Sequence, residues 1–207
     1  MLFSTDRDRS TFIRQLRLLR DDLHSYADSA GTYAGIQKAT QAPALLEALN
    51  RNAGFWLCVI AGLQATAFVS LTRIHDKGKA AYFPKVVKTL QASGSEKTKN
   101  AGALLVAAAS EHGAFIEKAV HLRHTLFAHT AHDAPLHASF GFEGLTLEMF
   151  QEYWNAMSVA AKKAEEAVFE GLYGPQVDLA AYSKSEAEAL KAAHSLAATR
   201  DDVREPH

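Results

Sequence analysis

Along residues 10–38, Phe12, Leu16, Leu19, Leu23 and Tyr26 recur every three or four positions, the spacing of one face of an α-helix. Ser10 can cap this helix, and Pro43 in "TQAP" ends it. A second long helix is predicted from about Ala44 to His75. Leu45, Leu46 and Leu49 give its first part an apolar side, whereas Asn52 to Thr72 carries no charge at all. The loop "HDKGKAAYFPK" follows, punctuated by Gly78 and Pro84. "PKVVKTLQAS" then predicts a short helix ending near Gly94. A third long helix should begin at Glu96 or Lys97, bury Leu104, Leu105, Phe115, Ile116, Val120 and Leu122, and stop between Phe127 and His132. After a break at Pro135, Gly141 and Gly144, Thr146 is the expected cap of a fourth long helix, closed by Gly174 and Pro175. The Ser183–Glu186 spacing fits a capping box. It predicts a last short helix with a weak apolar face, packed loosely or against a partner.

The pattern is strand-free, and the fold class it predicts is an all-α bundle of four long helices with extra short ones. Residues 1–175 would form the bundle, and 176–207 a C-terminal helical arm and tail. The uncharged run from Asn52 to Thr72 is long enough to cross a bilayer, for which about 20 residues suffice. Gln64, Thr66 and Ser70 dilute it. It reads instead as the central helix of a soluble bundle, apolar all round because neighbours surround it. Trp56 and Trp154 are expected in the core. Arg7, Arg9, Arg14, Arg17 and Arg20 have Asp neighbours and read as a solvated helix face.

Bulk composition narrows the classes. The chain has 207 residues, 48% hydrophobic and 22% charged, with a formal net charge of −1. That argues against a general polyanion binder while leaving room for a local basic groove. Cys58 is the sole cysteine, so no intrachain disulfide forms and a cytoplasmic setting is expected. The charged N-terminal stretch has no apolar core of a secretory signal. No membrane association is expected.

Chemistry concentrates in "VHLRHTLFAHTAHDAP", residues 120–135, which holds His121, Arg123, His124, His129 and His132. The bland reading is a histidine-rich solvated helix end. On a helix, His121, Thr125, His129 and His132 fall broadly on one side and Arg123 off it. Six residues separate Arg123 from His129, about 9 Å of rise. Their long side chains can still converge on one ligand, within a chain or across a two-fold axis. A guanidinium forks around phosphate oxygens, and a neutral imidazole accepts a proton near pH 7. With the 2′-hydroxyl of RNA as nucleophile, that pair suffices for phosphodiester cleavage without a metal.

The stretch from Arg123 to His129, with polar His124 after the arginine, resembles the R-x(4–6)-H signature of HEPN domains. Leu122-Arg123-His124 followed by Ala128-His129 is similar to the abortive-infection AbiU-type branch. So is "LTRIHDKGKAAYFPKVVKTL" with its Leu-x-Arg-Ile-x-Asp opening. The resemblance spans roughly residues 10–170. One departure is Thr130, where the branch often has a charged residue. The resemblance implies a helical bundle that dimerises symmetrically with its two motifs facing. It also implies metal-independent RNA cleavage to a 2′,3′-cyclic phosphate and a 5′-hydroxyl, and a bacterial defence or toxin–antitoxin setting.

On this reading Arg123 stabilises the transition state, His129 transfers the proton and His124 assists. Thr125 and the lysines Lys77, Lys79 and Lys85, from a basic patch that includes Lys88, Lys97 and Lys99, contact the RNA. RNA, a second copy of the chain and an antitoxin protein are the expected partners, and no cofactor or resident metal is expected. Two alternatives stay open. One is a non-catalytic HEPN module that binds nucleotides, RNA or protein. The other is a metal-dependent bundle hydrolase, since His129 and His132 have a spacing that can chelate zinc with His121 or His75 as a third ligand.

Overall fold

The computed structural model describes residues 5–75, 82–123, 144–169 and 176–198. Among these, eight helices and no strand occur: α1 (Asp6–Ala39), α2 (Pro43–Asn50), α3 (Ala53–His75), α4 (Phe83–Gln91), α5 (Glu96–Glu111), α6 (Gly113–Leu122), α7 (Leu147–Phe169) and α8 (Ala181–Ala198). The all-α expectation holds. Two of the long helices are split. Arg51 and Asn52 separate α2 from α3, just ahead of the poor helix former Gly54. His112, outside helical geometry at φ −100° and ψ 19°, separates α5 from α6.

Helix α1 starts one turn earlier than Ser10. Thr5 is extended at φ −139° and its Oγ1 accepts the Asp8 N–H at 3.1 Å. Ser10 lies inside the helix with its hydroxyl on the Asp6 carbonyl. At α7, Thr146 Oγ1 receives the Met149 N–H, a long contact of 3.4 Å at the expected cap position. Gly144, two residues ahead, has φ +79°, and a Cβ there would also sit 2.6 Å from the Lys118 amine.

The core runs along the buried stripe of α1, Phe12 through Ala34, onto the second half of α3 and onto Phe150, Tyr153, Trp154 and Met157 of α7. Helices α1 and α3 are antiparallel: Arg73 meets Asp22 at 3.2 Å and the Ser70 hydroxyl donates to Ser25 at 3.0 Å. Arg20 departs from the expected solvated face. Its side chain is only 12% exposed, 3.1 Å from Asp21 and 3.9 Å from buried Glu165. Trp154 is core, whereas Trp56 is half-buried and edge-on to exposed Phe55.

The expected loose packing of the last helix is overturned. α8 lies parallel to α1 and so close that a Cβ on Gly31 would sit 2.4 Å from the Tyr182 carbonyl oxygen. One on Gly35 would sit 2.4 Å from that of Glu186. The segment before α8 is tied down three times: the Val177 N–H donates to Glu165, the Asp178 N–H to His24 and the Trp154 indole to the Leu179 carbonyl. The helix begins at Ala181, so Ser183 does not cap it; Asp178 Oδ1 accepts the Ala180 N–H instead.

This packing is testable. Gly35→Val should destabilise the protein by about 3 kcal/mol, because the new side chain must push backbone away. Gly113→Ala meets nothing within 4 Å and should stabilise by up to about 1 kcal/mol through the unfolded state. Urea unfolding of both variants measures the contrast.

Candidate functional site

The site helix is α6. His112 begins it, its ring edge-on to Tyr153 at 6.0 Å. Phe115, Ile116 and Ala119 turn inward. Phe115 meets Phe150 at 5.3 Å and Tyr153 at 5.5 Å. His121 is exposed, and Arg123 is half-buried at the helix end with helical φ −58° and ψ −45°. A permanent cation suits a helix C-terminus, where unpaired carbonyls leave a partial negative charge. Helix stability alone could therefore explain an arginine here. His124, Thr125 and His129 lie outside the described residues, as do His132, Lys77 and Lys79. The meeting of Arg123 with His129 is thus not among the described geometry.

What the structure does give is the level of Arg123 in the bundle. Phe150 touches both Phe68 and Phe115, and Tyr153 touches both His75 and His112. α6 therefore runs antiparallel to α3, against which it packs. Arg123 lies eight residues beyond Phe115, about 12 Å along the axis, which brings it roughly level with Ile60 of α3. Lys118 is on the same approach, its amine over Gly144. The sequence reading passed over this cation, because α6 and the start of α7 look unrelated until the chain folds.

Lys85 sits elsewhere. It is exposed on the first turn of α4, next to Phe83, whose ring meets His75 at 5.3 Å. From the His75 level to the Ile60 level is fifteen residues of α3, about 22 Å. Within one chain, Lys85 and Arg123 therefore lie at opposite ends of the bundle.

The Lys85 end holds a polar cluster that sequence reasoning missed. Asp22, nearly fully buried, accepts a hydrogen bond from the Tyr82 hydroxyl at 2.5 Å and pairs with Arg73. Burial raises the Asp22 pKa, opposed by the Tyr82 hydrogen bond and by Arg73. Burial and the Asp22 carboxylate push Tyr82 up, and burial pushes Tyr153 up. His75 Nε2 lies 2.9 Å from the Tyr153 hydroxyl, and burial lowers its pKa to about 4. The ring is thus neutral at pH 7. The cluster locks together α1, α3, α4 and α7. A signal was present in the sequence: Asp22 is three residues past Leu19 and four before Tyr26, on the apolar stripe of α1.

Among the described residues, no three His, Cys, Asp or Glu side chains converge to hold a metal ion.

Comparison with known proteins adds one finding. The family described as HEPN_AbiU2, AbiU2, matches residues 9–190, from the first turns of α1 into α8. No curated protein and no solved structure matches the chain.

The buried histidine has a pH signature. Its folded pKa is depressed, so its contribution is complete above the unfolded value near 6.5 and is lost as pH falls toward 4. Asp22 and Glu165, both raised, act in the opposite sense: their contributions are present at low pH and fade as pH rises. Between pH 6.5 and 4 the wild type should lose up to about 3 kcal/mol more stability than His75→Gln, which keeps a hydrogen-bonding group for Tyr153. Urea titrations of the two proteins across that window test it.

Proposed function

Because the chain belongs to the AbiU2 family of HEPN proteins, we propose that it is a metal-independent endoribonuclease acting as a cytoplasmic abortive-infection or toxin effector. The observation that carries this reading is the family match across nearly the whole bundle, with the motif arginine at the end of α6. Arg123 provides a half-buried, permanently charged fork for the non-bridging phosphate oxygens.

In the proposed reaction, His129 takes the proton of the RNA 2′-hydroxyl, and that oxygen attacks the adjacent phosphorus. Arg123 stabilises the extra charge of the phosphorane. The bond from phosphorus to the 5′-oxygen breaks, and that oxygen takes up a proton from an imidazolium or water. The products are a 2′,3′-cyclic phosphate and a 5′-hydroxyl, so atoms and charge balance without a metal. His124 assists by contacting phosphate or orienting His129, and Thr125 adds a polar contact. Lys85, about 22 Å away along the axis, would hold RNA several nucleotides from the broken bond, and Lys77 and Lys79 are further lysines proposed to contact the RNA. An antitoxin protein and a second copy of the chain are the proposed protein partners.

Mixed RNA incubated with the protein in EDTA tests the reading. Cleavage should persist in the chelator, fall roughly 10²- to 10³-fold in Arg123→Ala and roughly 10²- to 10⁴-fold in His129→Ala, and leave cyclic phosphate ends. Tight RNA binding without any cleavage would make the protein a non-catalytic module. Activity that returns only with added zinc or manganese would make it a metal-dependent hydrolase.

A further inference from the structure

Two surfaces differ from the sequence expectation. The first half of α3 is not surrounded: from Ala53 to Leu63 no residue is fully buried, whereas from Gln64 to Ile74 most are. No charge interrupts the helix between Arg51 and Arg73, so this surface offers nothing to a polyanion. The first half of α1 is the reverse. Arg7, Arg9, Arg14 and Arg17 are exposed there, and every exposed residue from Asp6 to Asp21 is polar or charged.

The sequence sets these arginines beside aspartates, but the fold commits the acids elsewhere. Asp6 and Asp8 stand in the first turn of α1, where a helix N-terminus favours negative charge, and Asp8 accepts the Thr5 hydroxyl at 2.8 Å. Asp21 pairs with Arg20, and Asp22 with Tyr82 and Arg73. On α7, Glu165 faces Arg20 and accepts the Val177 N–H, while Glu166 accepts from Lys163 at 3.0 Å. Among the described residues, Arg7, Arg9, Arg14 and Arg17 have no ion-pair partner. Arg14 follows Arg7 by seven residues and Arg17 follows Arg14 by three. The three therefore stand broadly on one side of the helix, spread over about 15 Å.

We propose that Arg7, Arg14 and Arg17 form an anchoring surface for the phosphate backbone of RNA, remote from the bond that is cut. This deepens the nuclease reading above and rests on it for the identity of the polyanion. A protein interface has a core depleted of charge, and this face has no apolar core. Backbone contact to nucleic acid is the case in which uncompensated cations supply the affinity, and guanidinium groups fork on phosphate oxygens. The Arg123 end adds little net charge, because exposed Glu117 and Glu148 stand near Lys118 and Arg123.

Distance selects the substrate. α1 and α3 are antiparallel, with Asp22 at Arg73 and Ser25 at Ser70, so the Ile60 level of Arg123 falls near Gly35 of α1. Arg17 is eighteen residues from Gly35, about 27 Å along the axis. A stacked strand covers that span in about eight nucleotides, at roughly 3.4 Å each. A dinucleotide reaches Arg123 alone, whereas a longer RNA reaches both surfaces.

Two measurements on the full chain test this. The first is fluorescence anisotropy of a labelled mixed-sequence RNA of about 20 nucleotides, long enough for both surfaces, with the His129→Ala protein. Adding Arg14→Ala and Arg17→Ala together should weaken binding roughly 10-fold. It should also lower the slope of log Kd against log salt by about 1.4, the share of two phosphate contacts on a single strand. Lys191→Ala, exposed on α8, should change neither, and circular dichroism should stay the same throughout. The second is cleavage by protein with His129 intact. There the double arginine variant should raise KM for the long RNA, leaving its kcat and the cleavage of a dinucleotide unchanged. Unaltered RNA binding in the double variant, an equal loss in Lys191→Ala, or an equal loss on the dinucleotide would each overturn the proposal. So would RNA binding indifferent to the arginines beside polyglutamate binding that needs them, which would assign the face to an acidic protein. Salt-sensitive binding through the arginines without any cleavage removes the nuclease reading alone. Cleavage in which the arginines play no part removes the anchor alone.

Discussion

The ring of Phe150 holds the bundle in register. Phe115 of α6 meets it at 5.3 Å, Phe68 of α3 at 5.9 Å, and Tyr26 and Tyr33 of α1 at 6.3 and 6.4 Å. The Phe150 carbonyl also accepts the Tyr26 hydroxyl at 2.9 Å. Four helices are thus indexed to one residue by aromatic packing and by a buried hydrogen bond that is costly to leave unmade. Apolar contact alone permits helices to slide by a turn; a directed bond and interlocked rings do not. Because α6 is fixed at Phe115, the end of α6 is fixed too, and so is the depth at which Arg123 leaves the bundle.

That indexing gives the bundle two chemically different ends. At one, Asp22, Arg73, Tyr82, Tyr153 and His75 form a largely dry network. Burial keeps both tyrosines protonated and the imidazole neutral, so the charge there is essentially the Asp22–Arg73 pair, with Arg73 reaching solvent. Every buried side-chain nitrogen and oxygen among the described residues has a hydrogen-bond partner. Such a network specifies one arrangement of its helices, because each alternative leaves a polar group unpaired. The other end carries the cations Lys118 and Arg123 beside the uncovered tip of α3. The network at the first end is structural, and the second is the end at which the proposed nuclease chemistry would take place.

Much of this was legible in the chain. The stripe Phe12, Leu16, Leu19, Leu23 and Tyr26 is buried as its spacing requires, and the break at Pro43 and the cap position at Thr146 follow from local chemistry. The abortive-infection HEPN resemblance rested on the Arg123 phrase and on "LTRIHDKGKAAYFPKVVKTL", over roughly residues 10–170, and the family match covers residues 9–190. What periodicity could not show was contact between distant segments. Gly31 and Gly35 look like weak points of a helix until α8 lies on them. Asp22 looks like half of a solvated pair until Tyr82 and Arg73 converge on it. The kink at His112 was hidden because the apolar pattern continues across it. The joining of Arg123 to His129 stays with the family resemblance, since His129 is outside the described residues.

The α3 tip is uncovered for a reason that begins in α1. α1 keeps company with α3 from Asp22 to about Tyr33, where the nearby Gln64 side chain opposes the burial that raises the Tyr33 pKa. Over that same last stretch its glycines commit it to α8, and the chain then turns at Thr40 into α2. Leu45 of α2 packs with Ala39 and with Ala193 of α8, not along α3. The contacts that seat α8 therefore draw α1 and α2 away from the first turns of α3. One helix face can be lined by glycine for only one close neighbour at a time. Having used its glycines on α8, α1 leaves the apolar start of α3 exposed, about level with the end of α6.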